Sequence, residues 1–313
     1  MRGTLLYIGQ RLVLIAITTV LVSSIVFLLL HQIPGNAFLN ETRQSEETLR
    51  AELHHYGLDL PLPQQYANWV TGVLHGNLGE SLVNRGVLIT PLLVRETSVS
   101  ATVGFFALLI TIGLGLILGV IAALRQNTWV DYLASSTAVI GYSVPSFVIA
   151  IFGLLIFGHY LYVWTGGTFF YQPGWGKLEQ IPVPALALGL PYASYVARLT
   201  RASMLETIRT DYVRTAWAKG LKARVVVFRH ALRNALIPVV TILGPLITGI
   251  ITGSVVIENI FGIPGLGKEF VTSILARDYN IVIGVFTFYA ALVGLANLAV
   301  DVIYPVLDPR IRY

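Results

Sequence analysis

Gly262-Ile-Pro-Gly-Leu-Gly-Lys268 has the spacing of a phosphate-binding loop, in which glycine amides cradle a phosphate and the lysine neutralises it. The next position is Glu269 rather than Ser or Thr. The hydroxyl that would ligate magnesium is therefore missing, and a carboxylate in its place repels phosphate. No strand precedes the segment, so it reads as a Gly/Pro-rich external turn, not a nucleotide site. His54 and His55 are adjacent, a spacing that points their rings apart on a helix, and no His-Glu-x-x-His pattern exists. They read as solvated surface histidines. A serine nucleophile in a Gly-x-Ser-x-Gly turn is absent, and zero cysteines exclude thiolate metal sites, disulfides and Cys nucleophiles. No residue is assigned a catalytic, cofactor-binding or metal-binding role.

The elements around these residues explain the scarcity. Hydrophobic residues make up 55% of the 313-residue chain, charged residues only 12%, and the mean hydropathy is +0.72. Such a chain is an integral membrane protein. A span of about 20 residues crosses the ~30 Å hydrocarbon core, and six candidates follow: Leu12–Leu30, Val99–Leu124, Leu133–Phe157, Pro182–Ala197, Ala235–Ile257 and Ile281–Val306. The fourth is short and carries Pro182, Pro184 and Pro191. It is retained because without it Arg198–Arg233 falls on the wrong side. The first is too long for a signal peptide and lacks a cleavage site, so it reads as an uncleaved anchor. Within the six spans only Asp301 is ionisable. It sits four residues after Asn297, near a helix end where Arg310 or Arg312 can reach it, and reads as a structural end group rather than an ion relay. Gly115/Gly119 and Gly249/Gly253, each at i, i+4, permit close helix contact.

Alternating assignment puts 14 of the 21 Lys and Arg on the side of both termini. By the positive-inside rule that side is cytoplasmic. The net charge of +5 and pI near 9.4 follow from this bias. Aromatics interleaved with an extended basic patch are lacking, so nucleic acid is excluded as a partner. On the other side, residues 33–97 form a polar, acidic cap segment. It holds two short predicted helices, Ser45–Tyr56 and Pro63–His75, joined by the turn Gly57–Pro63. The aromatic loop Gly158–Ile181 belongs to the same external side.

Nine Lys and Arg lie between Arg198 and Arg233, against only Glu206 and Asp211. Asp211-Tyr-Val-Arg-Thr-Ala-Trp-Ala-Lys-Gly-Leu-Lys222, continuing to His230-Ala-Leu-Arg-Asn-Ala-Leu-Ile-Pro238, is basic and helix-prone. Ser203–Lys219 is rich in helix formers, Gly220 can end the turn at positive φ, and Lys222–Asn234 can restart as a second helix leading into the fifth span. Such a pair of helices between spans is a surface for docking another protein.

These residues resemble the cytoplasmic Glu-Ala-Ala loop of ATP-binding cassette (ABC) importer permeases, in the version of the dipeptide/oligopeptide/nickel family's first permease subunit. Arg214-Thr-Ala216 stands where Glu-Ala-Ala would be, Gly220 is the motif's glycine, and His230-Ala-Leu-Arg233 replaces Ile-x-Leu-Pro, with the proline displaced to Pro238. The resemblance extends through Gly57-Leu-Asp-Leu-Pro61, Gln65-Tyr66, Gly76-Asn-Leu-Gly79, Val256-Ile-Glu-Asn-Ile-Phe-Gly-Ile-Pro-Gly-Leu-Gly267, Arg277-Asp-Tyr279 and Asp308-Pro-Arg-Ile-Arg312. Asn77 departs from the family's usual Asp, a difference bearing on local capping. The resemblance implies an all-α membrane permease of six transmembrane helices: a leading helix over 1–32, the external cap over 33–97, and a five-helix core over 98–313 with its coupling loop at 198–235. It implies that Arg214, Thr215, Ala216, Lys219, Gly220 and Leu221 contact an ATPase, with Thr215–Leu221 inserted into its cleft. It also implies a second homologous permease, two ATPases that bind ATP and magnesium, and an extracytoplasmic solute-binding protein. This chain is then the non-catalytic part of the complex, in a bacterial or archaeal plasma membrane. A secondary transporter coupled to protons or sodium is the alternative; the lack of intramembrane acids and of an inverted repeat weighs against it.

Overall fold

The computed structural model describes residues 2–32 and 46–307. Ser45 and the segment Asp308–Arg312, with Arg310 and Arg312, lie outside the described residues. Every regular element described is helical, and the one β-type pairing is an isolated bridge between Glu80 and Leu88. Five helical segments are long and apolar enough to cross a membrane: Leu6–Gln32, Ile89–Leu124, Ser146–Trp164, Ala223–Ile251 and Tyr279–Val302. The chain forms two compact units.

The first unit comprises Met1–Val99 and Pro264–Leu298. Helix α1 (Arg2–Gln32) packs Val26, Phe27 and Leu30 against Tyr279, Val282 and Ile283 at the start of α14 (Tyr279–Leu307). Higher on the pair, a Cβ at Gly294 would stand 2.9 Å from Ile15, so only glycine allows that approach. Helices α2 (Glu46–His55) and α3 (Leu62–Leu74) fall where the two short helices Ser45–Tyr56 and Pro63–His75 are expected, and Gly57 makes their turn at φ +66°. The Gln65 amide locks that turn by donating to the Leu58 and Leu60 carbonyls at 3.1 and 2.7 Å. Buried Asp278 accepts from the Ser81 hydroxyl and the Leu82 and Val83 amides, and caps α14 through the Ile281 amide. Asn77 accepts the Gly79 amide at 2.9 Å, a bond its side-chain oxygen makes as a carboxylate would.

The second unit comprises Ser100–Ile263 and Ala299–Tyr313. Its centre is α8 (Pro182–Ile208), about 40 Å long at 1.5 Å per residue. Thirteen of its residues are buried, mostly small ones. It is not among the five segments long and apolar enough to cross a membrane. Its buried residues pack among the other helices of the unit, and its length is enough for the sixth expected span. Small residues bring α4 (Ile89–Leu124) against it: a Cβ at Gly119 would fall 2.5 Å from Thr200 and one at Gly115 2.7 Å from Val196.

Three expectations are corrected. The span Leu133–Phe157 is not one helix: α5 (Trp129–Ser143) stops before Pro145, and Val144 is extended at φ −83°, ψ 124°. The chain resumes as α6 (Ser146–Gly153), a π-helical stretch Leu154–Tyr160 and α7 (Leu161–Trp164), so the aromatic loop starts after Trp164 rather than at Gly158. The span Ala235–Ile257 also breaks. Thr252, Gly253 at φ +88° and Ser254 separate α11 (Arg233–Ile251) from α12 (Val255–Phe261). α4 begins ten residues before the expected span, and that added stretch carries Arg95 and Glu96. Buried Glu258 on α12 accepts from the Ser100 hydroxyl at 2.6 Å.

Candidate functional site

The basic loop folds as a helix held out on two longer ones. α8 ends at Ile208, Thr210 is extended, and α9 spans Asp211–Ala218. Ser203–Lys219 is thus two helices rather than one. The cause is local: the Thr210 hydroxyl turns back to donate to the Thr207 carbonyl at 2.6 Å, in competition with continued helix. At the far end the Gly220 amide donates to Trp217 O at 2.9 Å and the Leu221 amide to Ala216 O at 3.4 Å. These are the two bonds of a Schellman cap, and Gly220 takes the left-handed conformation at φ +72° that the cap demands. The chain then restarts at α10 (Ala223–Val225) and runs through a π-helical stretch, Val226–Leu232, directly into α11.

α9 is strongly two-faced. Val213 and Ala216, three residues apart, are buried against Met204, Ala123, Val226, Ala231 and Ala235. Asn234 ties the outer side down, its amide donating to the Tyr212 hydroxyl at 2.7 Å. Arg214, Thr215, Trp217, Lys219, Gly220 and Leu221 face outward. Of the six residues proposed to meet an ATPase, five are accessible together on one end of α9. Ala216 is the sixth, and it points into its own chain. Its size explains its place: a larger side chain would lift α9 from the α8–α11 seat. A cavity of about 260 Å³ lies under this seat, lined by Leu124, Leu205, Ile208, Val213, Trp217 and Val226 among others.

The seat has an anchor that the sequence reading missed. Asp131, 2% exposed on the first turn of α5, accepts from Arg201 Nε at 2.6 Å and Nη2 at 2.7 Å. It also takes the Asn127 amide at 3.0 Å and the Ser135 hydroxyl at 3.2 Å. Asn127 stands at φ +61°, which turns its amide inward. The Arg201 hydrogen bonds hold the Asp131 carboxyl down at about 2, so it is ionised throughout the physiological range. A bidentate pair of this geometry fixes the last two turns of α8, from which α9 hangs. The available signal was an acid at a predicted helix start; its partner 70 residues away was not readable.

The other candidates stay apart from this site. Gly262 caps α12 in the left-handed conformation and Gly265 precedes α13 (Leu266–Ala276), so the loop-like sequence joins two helices. Leu266 and Gly267 are buried, which leaves no open cradle for a phosphate. Burial, with Asp278 nearby, raises the Glu269 pKa. Exposed His54 contacts Asp59 at 2.8 Å. No group of three metal-ligating side chains occurs among the described residues.

The chain is thus all-helical among its described residues, with five segments able to cross a membrane and a capped two-faced helix seated between α8 and α11. Two family models match: "Binding-protein-dependent transport system inner membrane component" over residues 115–313, and the N-terminal component of the same systems over 4–93. The chain belongs to this family and is a permease of the ABC importer type. It is 40% identical to the dipeptide transport system permease protein DppB of Bacillus subtilis over 98% of this chain and 97% of that one. It is 39% identical to the oligopeptide transport system permease protein OppB of Salmonella typhimurium over 95% of each. The inward-facing methionine ABC transporter MetNI shares the fold at a TM-score of 0.56 and 19% identity, over 69% of this chain and 96% of that one. An amino acid ABC transporter solved with histidines does so at 0.52 and 17%, over 71% and 95%. The ion-coupled alternative finds no support in these relatives.

Proposed function

We propose that this chain forms one half of the path by which an ABC importer takes up dipeptides or oligopeptides, and that α9 receives the power stroke of a partner ATPase. The observation that carries this is the Schellman-capped end of α9. Arg214, Thr215, Lys219, Gly220 and Leu221 stand clear of the chain there, while Val213 and Ala216 root the helix between α8 and α11. A short helix so rooted passes a push at its tip to both long helices. ATP and magnesium belong to two ATPase subunits; a second permease completes the path and an extracytoplasmic binding protein delivers the solute. Both termini and the loop 198–235 lie on the cytoplasmic side, following the distribution of Lys and Arg.

The test is reconstitution of the complex in liposomes with its binding protein, followed by uptake of labelled dipeptides and oligopeptides. ATP-dependent, receptor-dependent accumulation is expected. Uptake that follows a proton or sodium gradient without ATP would refute the reading.

A further inference from the structure

We propose that Arg198, set against the rings of Tyr142 and Tyr195, is a transit site for the terminal carboxylate of the solute; the proposal rests on the peptide-importer reading. The expected fourth span ends at Ala197 and would leave Arg198 in the loop, yet α8 continues for ten residues beyond Arg198. Its side chain leans back toward the helix start, as helical side chains do. The guanidinium carbon lies 5.0 Å from the Tyr142 ring centre and 5.8 Å from that of Tyr195, and the two rings stack at 6.0 Å. Tyr142 is the fourteenth residue of α5, about 20 Å along it at 1.5 Å per residue. The guanidinium thus lies against the far end of α5.

A cation is costly against lipid, and one set among packed membrane helices is found facing protein or a water-filled passage. Arg201, one turn on, has Asp131. Among the described residues no carboxylate pairs with Arg198, and its side is exposed. Tyr142 and Arg198 each line a cavity. One, of about 360 Å³, is lined by Tyr142, Pro145, Ser146, Pro191, Tyr192 and Gly253, where the broken helices expose backbone polar groups. The other, of about 250 Å³, is lined by Arg198 and Arg201 with Leu118, Ala134, Ala138 and Ala197. Tyrosine on the face of a guanidinium leaves its N–H edge free, and that edge matches a carboxylate with two parallel hydrogen bonds. An anionic solute end moving between the cavities meets this edge.

The experiment uses the whole reconstituted complex and one tripeptide in two forms, the free acid and the C-terminal amide. Both are supplied above the receptor affinities measured separately, so receptor selection does not enter. The readout is the acid-to-amide ratio of uptake. R198M should lower that ratio by roughly tenfold, the scale for removing a bidentate charged partner, with R198K in between. Equal losses for acid and amide, or an unchanged ratio, overturn the assignment. Release of the second permease by R198M, with R198K restoring assembly but not changing the ratio, also overturns it, because the carboxylate would then belong to that subunit. If the unaltered complex takes up neither peptide, the importer reading itself fails and this proposal with it.

Discussion

Gly220→Val tests the coupling reading at its sharpest point. Gly220 holds φ +72°, and a Cβ built there meets nothing within 4 Å. The cost within this chain is therefore conformational alone, about 1–2 kcal/mol for an L side chain in the left-handed region. That energy shifts the population of the capped loop roughly 5- to 30-fold. It acts on an exposed turn, so insertion and assembly should be normal while the docking end of α9 is displaced. Gly220→Asn separates backbone from bulk, since Asn enters the left-handed region at lower cost. The assay is uptake and receptor-stimulated ATP hydrolysis in reconstituted complexes, compared at equal assembly. Val should lower both severely, and Asn should keep a substantial part. Full activity of the Val variant would sink the coupling assignment. Equal loss in Val and Asn would refute the backbone argument and point to bulk against the ATPase.

Asp131→Ala should destabilise the purified chain by about 2–3 kcal/mol, because a mostly buried guanidinium loses its charged hydrogen bonds; thermal unfolding in detergent measures it. The Asp131 pKa is lowered to about 2, so its stabilisation is complete above the ordinary carboxylate pKa of about 3.9 and fades only as pH falls toward 2. The gap between wild type and variant should stay flat from pH 5 to 8; a gap closing near pH 6 contradicts the pairing. Gly119→Val places a Cβ 2.5 Å from Thr200 and 2.6 Å from the Ala197 carbonyl, and should cost about 1–3 kcal/mol in the same measurement, whereas Gly113→Ala, with open space around it, should be silent. The chain has no cysteine, so single replacements label without background. Thr168→Cys should react from outside intact cells and Ala223→Cys only after permeabilisation; the reverse overturns the proposed orientation.

Composition determined much of this protein without a fold. An apolar excess with few charges dictates membrane helices, because lipid forces backbone polar groups to pair within their own segment. Gly220 between two helix-prone stretches was readable because its positive φ is a local requirement, and the turn at Gly57 was readable from its glycine and prolines. The phosphate-loop likeness was rejected from Glu269 and the lack of a preceding strand, and the helix-to-helix setting agrees. What the tertiary structure alone decided is long-range or competitive. Pro145 and Thr252–Ser254 break apolar runs that hydropathy counts as continuous, since hydropathy ignores missing amides and turn geometry. The Thr207–Thr210 bond ends α8 where propensity favours continuing it. Ala216 turns inward and its neighbours outward because α9 packs on α8 and α11, a choice no single-helix pattern contains. Arg198 and Arg201 look alike in sequence, yet one is clamped by Asp131 and the other is stacked on two tyrosines. Their partners on α5 lie more than fifty residues away, and only the packing of α5 on α8 distinguishes them.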